Sequence, residues 1–391
     1  MNKCKCIRRS ICIVLTLAIM FSIYTTQVFA DTLDLKCKSY ILLDADSGEI
    51  ILENNSHEKL PPASVTKVMT MLMVMEAIDS GKITLQDKVT ISKQAESRST
   101  TGTMLLLDEG EVRTVHELLL GIAVESANDA CIAIAEYISG SEEEFVKQMN
   151  KRAKELGMND TNFMNSNGLH IEGHVTSAYD IGIMSKELVK HKGIFDYISK
   201  YMVTVNVGKN NDIKRELVNK NKMVRFYNDV DGIKTGFTNQ AMFCIAVTAK
   251  KNNLRLISVI LGAPDVKTRN REARKLLDYG FANYTNHPIA KSGDILGEIK
   301  VIKGDKEKIN LVCKDNISLL LKKGTEKAVD KVLNIPEMIH APVTKGQQIG
   351  EVIIKNGDVE YGKYPLVADC DVTKASFINN LRKSLKYWFG N

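Results

Sequence analysis

A helix that is apolar on every side is stable only inside a protein, and residues 64–78 form such a helix. Val65, Val68, Met69, Met71, Leu72, Met73, Val74 and Met75 leave no polar stripe on a 3.6-residue period, and Gly81 marks its end. A chain built around it must supply packing layers on more than one side. Residues 40–45 and 49–53 flank Asp46-Ser47-Gly48 and read as a β-hairpin, and strand character returns at 231–237, 242–248 and 254–261. Between them, helical periodicity is found at about 114–123, 128–138, 143–156 and 176–191, the last introduced by Thr176. A further amphipathic helix at 266–283 carries Ala273, Leu276, Leu277 and Phe281 on its apolar side. The outer strands thus enclose a helical insert. The pattern predicts an α+β fold, an antiparallel sheet flanked by helices with an all-helical insert.

At 391 residues the chain exceeds the length, roughly 250–300 residues, at which a single core usually divides. From about His287 the texture changes to short alternating segments broken by glycine, at 295–302, 309–313, 317–321, 350–354 and 364–367, which predict a small all-β domain over 287–370. Residues 371–391 differ again. Phe377, Ile378, Leu381, Leu385, Trp388 and Phe389 recur at three- and four-residue steps, with Lys374, Arg382, Lys383 and Lys386 on the polar side, so this segment reads as an amphipathic C-terminal helix.

Residues 1–30 read as a signal peptide: Lys3, Lys5, Arg8 and Arg9 precede an apolar run from Ile11 to about Tyr24, and Val28-Phe29-Ala30 offers a cleavage site. The run is too short to span a bilayer, which needs roughly 20 residues. Those four basic residues account for four of the six net positive charges, so the exported chain is nearly neutral, which argues against nucleic acid as a partner. Cys4, Cys6 and Cys12 leave with the signal. Cys37, Cys131, Cys244, Cys313 and Cys370 remain, widely spaced, and neither they nor the histidines have metal-ligand spacing, so no metal or cofactor is implied. His170, Glu172 and His174 form an H-x-E-x-H whose spacing around Gly173 fits no known zinc motif and reads as a loop.

The sequence S-x-x-K occurs twice. Ser56…Lys59 lies in a polar stretch followed by Pro61-Pro62, which disfavour a continuing helix. Ser64…Lys67 opens the buried helix, so Lys67 falls on the same face one turn on, within reach of the Ser64 hydroxyl. A helix N-terminus offers free N–H groups to a developing oxyanion, and burial lowers a lysine's pKa until it can act as a base. Taken alone, the motif also fits a serine cap beside a solvated lysine. Ser126-Ala127-Asn128 is the only S-x-N in the chain and Lys234-Thr235-Gly236 the only K-T-G. The three motifs in this order belong together in serine enzymes that form acyl intermediates.

On these motifs, and on Pro62-Ala63-Ser64-Val65-Thr66-Lys67, Asn167-Gly168-Leu169, Asp231-Gly232-Ile233-Lys234-Thr235-Gly236 and Leu276-Leu277-Asp278-Tyr279-Gly280-Phe281, the chain resembles the low-molecular-mass penicillin-binding proteins of the serine D-alanyl-D-alanine carboxypeptidase family. The resemblance implies the penicillin-binding/β-lactamase-like transpeptidase fold in a catalytic domain at 31–286. It implies Ser64 as nucleophile, Lys67 as its base, and Ser126 and Asn128 as proton relay and substrate-amide contacts. Lys234, Thr235 and Arg269 would anchor the substrate carboxylate. The N–H groups of Ser64 and Phe237 would form the oxyanion hole, and Gly236 would let a ligand approach the strand closely. Ala127 stands where Gly is frequent in the family, and Phe237 where some members carry His. The implied partners are peptidoglycan stem peptides ending in D-Ala-D-Ala and β-lactam antibiotics. Residues 371–391 would anchor the exported protein on the outer face of the cytoplasmic membrane. The alternatives are a DD-endopeptidase or transpeptidase, a β-lactamase on the same scaffold, for which no Glu base is evident in 155–180, and a non-catalytic peptidoglycan-binding protein. Glu125, beside Ser126, is left between a hydrolytic base and a local structural charge.

Overall fold

The computed structural model describes residues 33–325 and 329–375. The expected signal peptide therefore lies outside the described residues, as does the C-terminal segment from 376 on. The chain opens with the hairpin of β1 (Ser39–Asp44) and β2 (Ile50–Asn54). Its turn is closed by the Asp44 carboxylate, which accepts from the Ser47 N–H at 2.7 Å and from Ser47 Oγ at 2.6 Å. A 3-10 turn, Ala63–Thr66, leads into α1 (Lys67–Asp79), whose buried residues include Lys67, Met69, Met71, Leu72 and Met75. This is the all-round apolar helix expected from the sequence, except that its α-helical part begins at Lys67 and not at Ser64, which lies in the 3-10 turn.

The middle of the chain is mostly helical. The short pair β3 (Lys88–Thr90) and β4 (Val112–Thr114) precedes α2 (Val115–Leu120), α3 (Asn128–Ser139), α4 (Glu142–Glu155) and α5 (Ala178–Lys190). Side-chain oxygens at the start of these helices satisfy free N–H groups. Thr114 and Glu117 make a reciprocal capping box on α2, and Ser177 Oγ accepts from Asp180 N–H at 3.1 Å on α5. The cap of α5 is thus Ser177 and not Thr176, because Thr176 is held one residue earlier in a bridge with Leu60. After α6 (Phe195–Ile198), a ribbon of β5 (Met202–Val207) and β6 (Ile213–Val218) and a short α7 (Met223–Phe226), the chain returns as β7 (Val230–Thr238), β8 (Met242–Lys251) and β9 (Leu254–Ala263), followed by α8 (Val266–Asn283).

These strands and the hairpin make one antiparallel five-stranded sheet in the order β2-β1-β9-β8-β7. The central strands are buried almost throughout, and α8 packs along β8 and β9. Helix α1 lies against α5 and α3, so the apolar residues on all its sides meet other apolar residues. Burial of each Leu or Met side chain contributes roughly 1.5–3 kcal/mol. The edge strand β7 runs beside the 3-10 turn, and that meeting creates the site described below.

The second domain begins directly at the end of α8 with β10 (Tyr284–Ala290), three residues earlier than the change of texture indicates. β11 (Ile295–Ile302), β12 (Lys308–Cys313), β13 (Ile317–Lys322), β14 (Asp330–Asn334), β15 (Met338–His340), β16 (Gln348–Asn356) and β17 (Val359–Ala368) complete it. Its six-stranded sheet has the order β14-β16-β17-β12-β11-β15, and β10 pairs with β13. The domain does not stop at residue 370: Val372 bridges Val343 and Lys374 bridges Gly304, so the start of the expected C-terminal helix is extended chain held in the β domain. The remaining residues expected to form that helix, from 376 on, lie outside the described residues. Cys37, Cys131, Cys244, Cys313 and Cys370 are free thiols, the middle three buried. Among the described residues no helix is long and apolar enough to cross a membrane.

Candidate active site

Pro61 and Pro62 deliver the chain into the 3-10 turn, which Ala63 enters with a φ of +49°. Ser64 is the second residue of that turn, and Lys67, the first of α1, folds back beneath it. Its Nζ is 3.2 Å from Ser64 Oγ, 2.7 Å from Asn128 Oδ1 and 2.5 Å from the Asn167 carbonyl oxygen. Lys67 is fully buried, and the loss of hydration pulls its pKa from 10.5 down to about 8. The amine is therefore held against the hydroxyl with its proton loosened.

Helix α2 continues into a π-helical turn, Gly121–Glu125, of the kind that re-aims a helix end at functional sites. Ser126 follows in the left-handed region, φ 69° and ψ 34°, with a buried Oγ that has no hydrogen-bond partner among the described residues. Asn128 opens α3; besides accepting from Lys67, it donates through Nδ2 to the Thr101 carbonyl at 2.6 Å. The buried Asp129 accepts from the N–H groups of Leu105, Leu107 and Ala130, which ties the segment after Thr103 to the same helix start.

Strand β7 forms the facing wall. A Cβ on Gly236 would lie 3.0 Å from Ala63 Cβ, the Pro62 carbonyl oxygen and Ser64 N, so the strand runs close against the turn that carries Ser64, and glycine fits there. Lys234 is buried with its Nζ 3.2 Å from the Thr235 carbonyl oxygen, and burial together with the nearby Lys67 charge holds its pKa well below the ordinary value. Phe237 is exposed and stacks on Phe243 at 4.4 Å. From α8 the buried Arg269 points toward the same space, its guanidinium held by Asn270 Oδ1 at 3.1 and 3.0 Å and its pKa lowered by burial to about 10.

These elements enclose a cavity of about 750 Å³ lined by Ser64, Ser126, Thr235, Gly236, Phe237 and Arg269 among others; Lys67, Asn128 and Lys234 lie beneath its surface. The nine residues singled out from the sequence thus come from four segments of the chain into one place. Among the described residues none of Lys67, Lys234 and Arg269 has a carboxylate within ion-pair distance. Buried cations without counter-ions are costly, and a ligand carboxylate is the group that would relieve them.

Sequence reasoning missed three contributors. Lys220 lines the cavity and pairs with Glu125 at 2.9 Å, Asn167 supplies the carbonyl that holds Lys67, and Thr103 supplies part of the rim. Asn167 stands in a motif already singled out, whereas Lys220 carries no local signal. The Lys220 pair, with the Val218 N–H at 3.4 Å, gives Glu125 a structural place. Ser56 is buried with its hydroxyl donating to Glu53, and Lys59 is exposed, so the other S-x-x-K is not a site. In the H-x-E-x-H loop, His170 and Glu172 are exposed and only His174 turns inward, against Thr66.

A family profile described as D-alanyl-D-alanine carboxypeptidase matches residues 25–265. The chain belongs to the D-alanyl-D-alanine carboxypeptidase family. It is a serine-type peptidase of the low-molecular-mass penicillin-binding group, with the α+β fold of that group. A second profile, described as the C-terminal domain of penicillin-binding protein 5, matches residues 284–374. The carboxypeptidase is 44% identical to D-alanyl-D-alanine carboxypeptidase DacF of Bacillus subtilis over 90% of each chain, and 33% identical to DacD of Escherichia coli over 88% of each. Among solved structures, penicillin-binding protein 5 of Haemophilus influenzae superposes with a TM-score of 0.73 at 32% identity, covering 88% of this chain and 99% of that one. Penicillin-binding protein D2 of Listeria monocytogenes, solved in its ampicillin-bound form, matches 64% of this chain and 99% of its own with a TM-score of 0.54 at 28% identity.

Proposed function

We propose that the carboxypeptidase removes the terminal D-alanine from peptidoglycan pentapeptides through an acyl-enzyme on Ser64. The observation that carries this reading is Lys67 Nζ at 3.2 Å from Ser64 Oγ, fully buried and with its proton loosened. Ser64 Oγ attacks the carbonyl carbon of the penultimate D-alanine while its proton passes to Lys67. The tetrahedral oxyanion lies between the N–H groups of Ser64 and Phe237. Ser126, whose hydroxyl has no partner, relays a proton to the departing amine, and Asn128 holds the substrate amide as well as Lys67. Terminal D-alanine leaves, and water then releases the acyl group from Ser64. A β-lactam presents the same carbonyl and carboxylate, which accounts for inhibition by penicillin; the ampicillin-bound relative supports this.

Lys234, Thr235 and Arg269 take the terminal carboxylate. Hydrolysis of a pentapeptide and of its C-terminal amide, followed by D-alanine or D-alaninamide release, tests that assignment. A charge-assisted contact contributes about 1.5–3 kcal/mol, so kcat/KM should fall about ten- to a hundredfold or more for the amide. Equal values for the two substrates would refute it.

We take the peptidase unit as 31–286 and the β domain as 287–370; the start of β10 at Tyr284 and the bridges of Val372 and Lys374 support a β domain a few residues longer at each end. Residues 1–30 direct export, and the amphipathic segment within 371–391 holds the enzyme at the outer face of the cytoplasmic membrane. The basic and aromatic composition of that segment supports this reading.

A further inference from the structure

We propose that His174 is a positioning residue for acyl transfer: through Thr66 it fixes the Ala63–Ser64 peptide plane and so aims the Ser64 N–H at the oxyanion. The inference rests on the reading of Ser64 as the nucleophile. Ala63 and Ser64 share one planar trans peptide unit, whose polar ends are the Ala63 carbonyl oxygen and the Ser64 N–H, pointing in opposite directions. A bond that fixes the oxygen therefore fixes the direction of the N–H. Ala63 needs such a bond, because its φ of +49° is unfavourable for a residue with a Cβ.

The bond comes from Thr66, whose Oγ1 donates to the Ala63 carbonyl oxygen at 2.9 Å. A hydroxyl has one hydrogen, and its direction depends on what else the oxygen meets. Here His174 Nε2 stands 2.8 Å from the same Oγ1, and the Met164 N–H donates to His174 Nδ1 at 3.1 Å. Since Nδ1 accepts, the neutral ring carries its hydrogen on Nε2 and donates it to Thr66, which leaves the hydroxyl hydrogen directed at Ala63. The relay runs one way, from Met164 N–H through imidazole and hydroxyl to carbonyl. An imidazolium would set a second N–H against that of Met164. Burial disfavours that form near neutral pH, pushing the His174 pKa down to about 4. Thr66 and His174 are both buried, Phe163 packs edge-on against the imidazole at 5.9 Å, and Gly168 lies against the same carbonyl: a Cβ there would stand 1.9 Å from Ala63 O and 2.9 Å from Thr66 Oγ1. The relay from His174 through Thr66 lies outside the cavity lining. It acts only on the direction of a backbone donor.

The test is acylation kinetics with a chromogenic cephalosporin on H174F, T66V and the double variant, each checked first for native fold by circular dichroism and thermal melting. H174F fills the ring's space without either hydrogen bond. Losing an oxyanion donor costs about a hundred- to a thousandfold, and a misaimed one less, so the acylation rate constant should fall about ten- to a hundredfold while the pre-acylation dissociation constant stays within about threefold. The double variant should be no slower than the slower single, since both act on one carbonyl. A folded H174F that acylates at the native rate, or fully additive losses, would overturn the proposal. If H174F does not fold, T66V carries the decision, because it removes the last link: native acylation by T66V sinks the relay. Wild-type enzyme that fails to acylate at all would instead refute the reading of Ser64 on which this rests.

Discussion

A lysine with no water around it is a poor cation and a usable base. Lys67 meets that description because α1 is apolar all round, and its pKa of about 8 puts the change of protonation just above neutrality. Only the neutral amine can take the Ser64 proton. The pseudo-second-order rate of penicillin acylation should therefore rise by about tenfold per pH unit below that pKa and level off above it. K67R, which keeps the charge but cannot lose it, should abolish acylation; near-native rates in K67R, or a profile flat from pH 6 to 9, would make Lys67 electrostatic only. This residue was legible in the sequence because its chemistry and its burial share one helical turn. Lys220 was not, since it reaches the cavity from the end of a ribbon and meets Glu125 across 95 residues of chain, and no local pattern encodes that distance.

At the scale of elements, the site is the place where the 3-10 turn, the π-turn before Ser126 and the edge of β7 converge, and glycine sets how closely they meet. Gly168 combines a φ of +86° with a carbonyl where its Cβ would be. G168A should cost at least about 1–3 kcal/mol from the backbone alone and displace Ala63, lowering both melting temperature and acylation rate. A G168A variant with native stability and rate would show that the turn is not braced from this side. Long periodic elements were readable from sequence: α1, α3, α4, α5 and α8 fall close to their expected spans, because each buries a face against the core or is buried whole. The short pairs β3–β4 and β5–β6 carry no clear signal, as their three- to six-residue strands bury few side chains and owe their form to a partner strand. The cap of α5 shifted by one residue for a related reason: tertiary pairing with Leu60 claimed Thr176.

At the scale of the whole molecule, a peptidase unit and a β domain follow one another without a linker, since β10 starts where α8 ends. The bridges of Val372 and Lys374 mean that a truncation probing the C-terminal segment should begin at 376, leaving the β domain closed. The enzyme lacking 376–391 should keep its melting temperature, acylate penicillin within about twofold of the full chain, and move from the membrane to the soluble fraction. Retention on membranes, or loss of folding, would assign the segment to packing on its own domain. The central claim is that one serine, in the 3-10 turn that leads into the buried helix, forms the covalent bond. Its most direct test is peptide mass mapping after reaction with penicillin: the account predicts a single adduct on Ser64 that S64A abolishes, and an adduct on Ser56, or labelling that survives S64A, would contradict it.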